Sequence, residues 1–426
     1  MTARDDDMEP AGLLDGILVA DFSRVLAGPL LTMTLADLGA RVVKVERPGS
    51  GDDTRSWGPP FSPTGATYFE SVNRNKESVT LDLRDESDRE LARELARRAD
   101  VVVENFKTGA LDRLGLGYED VRAANPGVVY CSITGFGSAG GAELPGYDFV
   151  VQALGGLMSV TGEEDGEPMK AGVALVDVLT AKDGAIGVLA ALRDRERTGR
   201  GRRVEVNLLS SLQTALVNQM QAVLGAGASP RRLGNAHPSI VPYQSLRCAD
   251  APIAVAAGND GQFRALCEAI GAAGLADDER FRTNPDRVEH REELIPLLEE
   301  ALAARDAEEW EARLVEAGVP VGRVNTIAEG LKHAEGLGLE PIVEVRDASG
   351  EAVGKGVRHP ARYTPAIPLR DAAPPALGEH DADVRAWLGA AAHEPATAPG
   401  PESASATAPA SATEITEPPA DGRTTP

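Results

Sequence analysis

The chain has 426 residues, 42% hydrophobic and 26% charged, proportions of a globular protein with about two to three domains or one large α/β unit carrying an insertion. Its 66 acidic against 43 basic residues give a formal charge of -23, which argues against nucleic-acid and anionic-membrane partners and requires a local basic pocket for any anionic ligand. Three separated cysteines (Cys131, Cys248, Cys267), an acidic start and no apolar run of bilayer length argue against a disulfide framework, a zinc site, a signal peptide and a membrane span, and so point to a cytoplasmic protein.

In chain order, a strand is predicted over 17–22, a helix from Pro29 to the stop at Gly39, and a second strand over 41–46, which together form a βαβ unit. The alternation continues with strands over 78–83, 100–104 and 128–134, a charged helix over 86–98, a helix over 178–194, a strand over 204–207 and an apolar helix over 208–224. The fold class is therefore α/β, with a Rossmann-like open parallel sheet in a large domain. The pattern changes near Gly225, where a linker leads to strands over 243–247 and 253–257 and helices over 262–272, 292–303 and 307–317. The expected divisions are a disordered start (1–11), a large domain (12–224), a smaller α/β domain with its preceding linker (225–330), a return segment (331–390) and a disordered Ala/Pro/Ser/Thr/Glu-rich tail (391–426).

Asp177 closes the apolar run from Ala171 and stands directly before a helix. A carboxylate at such a junction lies against the positive helix end and stays ionised, a geometry that serves a helix cap and a nucleophile equally well. Gly135-Phe-Gly-Ser-Ala-Gly140 matches the dinucleotide pattern GxGxxG in form only. The breakers Gly141, Pro145 and Gly146 deny it the helix that pyrophosphate binding needs, so it reads as a loop over an active site. Arg47, Arg74, Lys76, Arg84, Lys107 and Arg113 fall near strand ends of the first domain and can supply a pocket for a phosphorylated ligand. The histidines, His237 among them, show no metal-ligand spacing.

These residues carry a resemblance. Arg24-Val-Leu-Ala-Gly-Pro29, Asn73-Arg-Asn-Lys76, Val103-Glu-Asn-Phe106, Gly146-Tyr-Asp148, Val173-Ala-Leu-Val-Asp177 and Gly234-Asn-Ala-His-Pro-Ser239, in this order, make the chain similar to the class III coenzyme A-transferases of CaiB/BaiF type over about residues 12–390. The resemblance implies an interlocked homodimer and a coenzyme A-transferase with acyl-CoA and carboxylic acid as substrates, coenzyme A not being held permanently. It implies Asp177 as nucleophile, and Leu26, Ala27, Arg47, Leu81, Arg84, Asn105, Phe106, Arg113 and Tyr147 on the coenzyme side. Gly234 and Asn235 fall in the active-site loop, and no metal is implied.

Leu26 and Pro145 stand where formyl-coenzyme A transferase has Gln and Lys, which argues against a formyl/oxalate pair. The texture of Trp57-Gly-Pro-Pro-Phe61 and Tyr130-Cys-Ser-Ile-Thr134 is nearest the succinate, hydroxymethylglutarate or glutarate branch, with succinyl-CoA as donor and a dicarboxylate as acceptor. A second carboxylate would then seek Arg24, Arg55 or Arg74. Three alternatives stay open: an acyl-CoA racemase of the same family, disfavoured because Tyr147 replaces the branch's histidine base; a dinucleotide-dependent oxidoreductase; and an idle scaffold.

Overall fold

The computed structural model describes residues 12–390, so both expected disordered ends lie outside the described residues. Six strands, β1 (Leu18–Asp21), β2 (Arg41–Glu46), β3 (Lys76–Thr80), β4 (Val101–Glu104), β5 (Val129–Thr134) and β6 (Arg203–Asn207), form a parallel sheet in the order β3-β2-β1-β4-β5-β6. This is the doubly wound order, with its switch point between β1 and β4. Val19 lies in register with Val42 on one side and Val101 on the other. Central strands read as nearly unbroken Val and Ala because helices cover both faces.

Alternate side chains feed two cores. Val19, Val101 and Cys131 pack under Leu31 and Leu35 of the Ala27–Asp37 helix and Val188 and Leu192 of the Leu175–Thr198 helix. On the other face, Ala20, Val43 and Val102 meet Leu95 of the Glu86–Arg98 helix and Val384 and Leu388 of the Asp381–Ala390 helix. That last helix brings the chain back to the sheet edge, where Asp381 accepts from the Thr80 amide and hydroxyl, both at 2.6 Å, and Arg385 pairs with Asp88.

Strands β7 (Tyr243–Arg247), β8 (Pro252–Ala256) and β9 (Val321–Arg323) form an antiparallel sheet with a core of its own, built on Leu246, Val255, Phe263, Leu298 and Trp310. A hairpin of β10 (Ile342–Arg346) and β11 (Ala352–Val357) follows.

Three departures from expectation go beyond small shifts of a boundary or bear on the site. β3 starts two residues early, at Lys76, because the Lys76 ammonium is drawn inside by Asp21 (3.1 Å), the Pro29 carbonyl (2.9 Å) and Asn73 (2.9 Å), partners that override the polarity of its side chain. The helix expected over 208–224 is broken into Leu208–Ala215 and Val217–Ala226, with Val217 at φ +34° at the break. The first piece buries Leu208 and Leu212, whereas the second buries none of its residues. The helix carrying Asp177 begins at Leu175, so Asp177 occupies its first turn instead of a junction after a strand.

A cluster of buried charge underlies the carboxyl ends of β1 and β2 and takes in Lys76 from the amino end of β3. The side chains of Lys44, Asp52, Lys76 and Asp21 are all 0% exposed, with Lys44 paired to Asp52 at 2.9 Å and Lys76 to Asp21 at 3.1 Å. Glu46 joins them through a two-pronged contact with Arg55 at 2.7 and 2.8 Å. Burial alone would raise Asp21, but Lys76 and Lys44 more than offset it and hold the carboxyl below its usual range. Removing one member strands an opposite charge in the interior, at a cost of roughly 3–5 kcal/mol. Lys44→Met is therefore expected to lower stability by about that amount in denaturant melts, where an exposed control such as Arg84→Met changes it by less than about 0.5 kcal/mol.

Candidate active site

The switch point opens where the loops after β1 and β4 diverge. The β1 loop is pinned by side chains from elsewhere: Asn105, just past β4, accepts from the Arg24 amide (2.9 Å) and donates to the Arg24 carbonyl (2.7 Å). Val25 is held at φ +71°, a left-handed conformation that costs a β-branched residue on the order of 1–3 kcal/mol. Asp52 compensates by accepting from its amide at 3.2 and 3.3 Å, while Lys44 fixes Asp52 from behind. Gly28 admits the close turn into the next helix, since a Cβ there would lie 2.2 Å from Ser23.

The glycines after β5 serve a different end from pyrophosphate binding. A Cβ on Gly135 would meet the Gly146 backbone at 2.5 Å, so these two close the base of the loop over 135–146. A Cβ on Gly141 would lie 2.1 Å from the Phe136 carbonyl, which makes it the residue that lets the loop fold on itself. No long helix opens here; the next one is the short Asp148–Leu154.

Asp177 lies half-buried beside this loop, in the first turn of the Leu175–Thr198 helix. The N-cap position, Ala174, supplies no side-chain cap. Asp148 does so from another helix, accepting from the amides of Val176 (2.7 Å) and Asp177 (3.2 Å) and from the Gln152 amide group (2.5 Å). With the helix end already answered by Asp148, the Asp177 carboxylate is left to the cavity. Burial first, and then the negative charge of Asp148, push it up to about 7. The helix end therefore does not hold Asp177 as ionised as its position in the sequence suggests; desolvation outweighs the dipole.

A cavity of about 460 Å³ joins these parts. Six of the residues that the resemblance assigns to the site line it together: Leu26, Ala27, Asn105, Phe106, Tyr147 and Asp177, along with Arg24, Lys107, Thr134 and the glycine loop.

The others stand apart from it. Arg47 pairs with Asp53 on the loop after β2, Leu81 is packed into the core, and Arg84, 91% exposed, folds back onto Asp82. Arg113 is exposed in the turn Asp112–Leu114. Gly234 donates its amide to the Gly162 carbonyl at 3.0 Å. Asn235 lines a groove of about 400 Å³ beside Tyr243 and Pro320, so within this chain neither Gly234 nor Asn235 reaches the Asp177 cavity.

Asp148 is the residue whose part the sequence hides. In the sequence it stands only as the acid of the Gly146-Tyr-Asp148 motif, and nothing in its spacing announces that it caps a helix beginning 27 residues later. Among the described residues no group of three or more His, Cys, Asp or Glu is placed to hold a metal ion, and no helix is long and apolar enough to cross a membrane.

The chain is similar to known proteins over most of its length. The succinate–glutarate CoA-transferase of Agrobacterium fabrum is 44% identical over 88% of this chain and 95% of that protein. The acetyl-CoA:oxalate CoA-transferase of Acetobacter aceti is 42% identical over 75% of this chain and 83% of that protein. A crystal structure of a CAIB/BAIF family protein from Brucella suis superposes with a TM-score of 0.80 at 45% identity, covering 89% of this chain and all of that one. The model of CoA-transferase family III matches residues 14–381. With the doubly wound sheet, the switch-point cavity and the half-buried Asp177 in place, the chain belongs to CoA-transferase family III and is a coenzyme A-transferase.

Proposed function

We propose that this transferase moves coenzyme A from succinyl-CoA to a dicarboxylic acid, with Asp177 as the covalent relay. The observation that carries the reading is the Asp177 carboxylate itself: it stands in the switch-point cavity with only burial and the Asp148 charge acting on it, and its helix end is capped by another residue. A carboxylate so placed is a nucleophile in search of an acyl group. Relatives named for coenzyme A transfer between succinate or succinyl-CoA and glutarate are 41–44% identical over 88% of this chain, which favours the longer dicarboxylates.

In this reading the Asp177 carboxylate attacks the thioester carbonyl of the donor. The carbon–sulfur bond breaks, giving a mixed anhydride and coenzyme A thiolate. The thiolate attacks the aspartyl carbonyl, releases the donor acid and leaves an aspartyl thioester. The acceptor carboxylate attacks that thioester to form a second anhydride and expel the thiolate. Attack of the thiolate on the acceptor's acyl carbon then gives the new acyl-CoA and restores Asp177. Each attack develops an oxyanion in the cavity, where backbone amides of the β1 loop near Ala27 and of the glycine loop are at hand. Leu26, Ala27, Asn105, Phe106 and Tyr147 shape the coenzyme side. The roles of Arg47, Leu81, Arg84, Arg113, Gly234 and Asn235 belong to the same proposal and require the ligand or a second copy of the chain to complete their surroundings.

A homodimer is part of this reading. Phe149 and Leu154 on the helix after the glycine loop and Val173 before Asp177 are 57%, 67% and 62% exposed, apolar side chains next to Asp148 and Asp177 in the chain that a second copy would cover. Light scattering on the eluting protein is expected to give twice the chain mass, and a monomer at micromolar concentration would overturn the dimer.

Three further outcomes test the chemistry. Asp177→Ala should lower turnover by at least about 10⁴-fold and abolish the coenzyme A adduct that intact-mass measurement detects on the wild-type chain incubated with acyl-CoA. Because Asp177 attacks only when ionised and sits near 7, kcat/KM for the donor should fall about tenfold per pH unit below that value and level off above it. Asp148→Asn removes a negative neighbour, so ionisation becomes easier and the midpoint of the pH profile should move to lower pH, while remaining above an ordinary carboxylate because burial persists.

A further inference from the structure

We propose that Arg24 binds the distal carboxylate of the acceptor and thereby sets the preference for dicarboxylic acids, an assignment that rests on the dicarboxylate reading above. The sequence offers three arginines for this task, and the fold separates them. Arg55 is spent: its Nε and Nη2 both reach Glu46, Nη2 also donates to the Pro375 carbonyl at 3.1 Å, and its guanidinium lies 3.7 Å over the Phe69 ring. Arg74 is spent likewise, its Nε and Nη2 on the two oxygens of Asp37 at 2.9 and 2.5 Å. Neither lines the Asp177 cavity.

Arg24 lines it. Its only ion pair among the described residues is single-pronged, Nη1 to Asp53 at 3.2 Å, and Asp53 is already engaged by Arg47 at 2.5 Å. The Arg24 Nε is buried and has no hydrogen-bond partner among the described residues. A buried guanidinium N–H without an acceptor is an unanswered donor, and a carboxylate is the group whose geometry answers an arginine edge. The Phe106 ring, 5.4 Å from the guanidinium carbon, steadies that edge. Lys107 is the other cation on the cavity wall, but it stands 61% exposed with Glu143 at 2.5 Å, a rim position that discriminates weakly between acceptors.

The position of Arg24 does not depend on its side chain. Asn105 holds its amide and carbonyl, and Asp52 holds the next amide, so the loop keeps its course when the guanidinium is removed. The test measures kcat/KM for glutarate and for pentanoate, a monocarboxylate of equal chain length, in the full-length wild type, Arg24→Gln and Arg24→Lys, with saturating succinyl-CoA. The wild type should prefer glutarate. Arg24→Gln should reduce the glutarate-to-pentanoate ratio by about 10- to 100-fold, mainly through KM, and Arg24→Lys, which keeps a charge but not the two-pronged edge, should fall between. A wild-type preference that survives in both variants overturns the assignment alone. A wild type that uses pentanoate as well as glutarate overturns the dicarboxylate reading and the assignment with it.

Discussion

The buried pair Lys44–Asp52 is the contact on which the site depends. Two fully desolvated opposite charges tolerate little displacement, because separation leaves each without water or partner. Asp52 spends its remaining capacity on the Thr54 amide and hydroxyl and on the amide of Val25. It thus carries the rigidity of the sheet interior outward to the loop that walls the cavity. Lys76 and Asp21 repeat the device one strand over, with Asp21 also accepting from Ser23 at the start of the same loop. The left-handed Val25, costly in isolation, persists because both neighbours are pinned.

On the far wall the constraint is steric. Glycines at 135, 141 and 146 permit backbone contacts that any side chain would prevent, and the resulting loop packs its turn against the entrance to Asp177. Asp148 begins the helix that follows and reaches across to cap the helix bearing Asp177. One acid thereby performs two tasks: it satisfies the helix end that Asp177 would otherwise have answered, and its charge discourages Asp177 from ionising. A carboxylate whose proton is held near neutrality is ionised in fewer molecules but is the stronger base when it is, and in the proposed relay its loss of water favours attack on a carbonyl.

Much of this was legible in the chain. Strands β2 and β7 and the helix over 86–98 coincide with their expected bounds, since each combines a strong period with clear stops. Asp177, Asn105 and Phe106 were likewise reachable through motifs that keep their order along the sequence. At Lys76 and at Asp177, where expectation and structure parted, a distant partner was responsible. Lys76 reads as a residue before a strand until Asp21, 55 positions earlier, draws it inside, and Asp177 reads as its own helix cap until Asp148 takes that role.

By itself, then, the sequence determined the α/β class, the family and the identity of the acid at position 177, because periodicity, turn residues and contiguous motifs are local properties that survive without coordinates. The tertiary structure alone decided the raised pKa of that acid, the engagement of Arg55 and Arg74 elsewhere, and the buried, unpartnered Nε of Arg24 at the cavity wall. Charge and hydrogen-bond satisfaction depend on what burial brings near, and residues 24, 52 and 105 become neighbours only when β1, β2 and β4 are laid side by side.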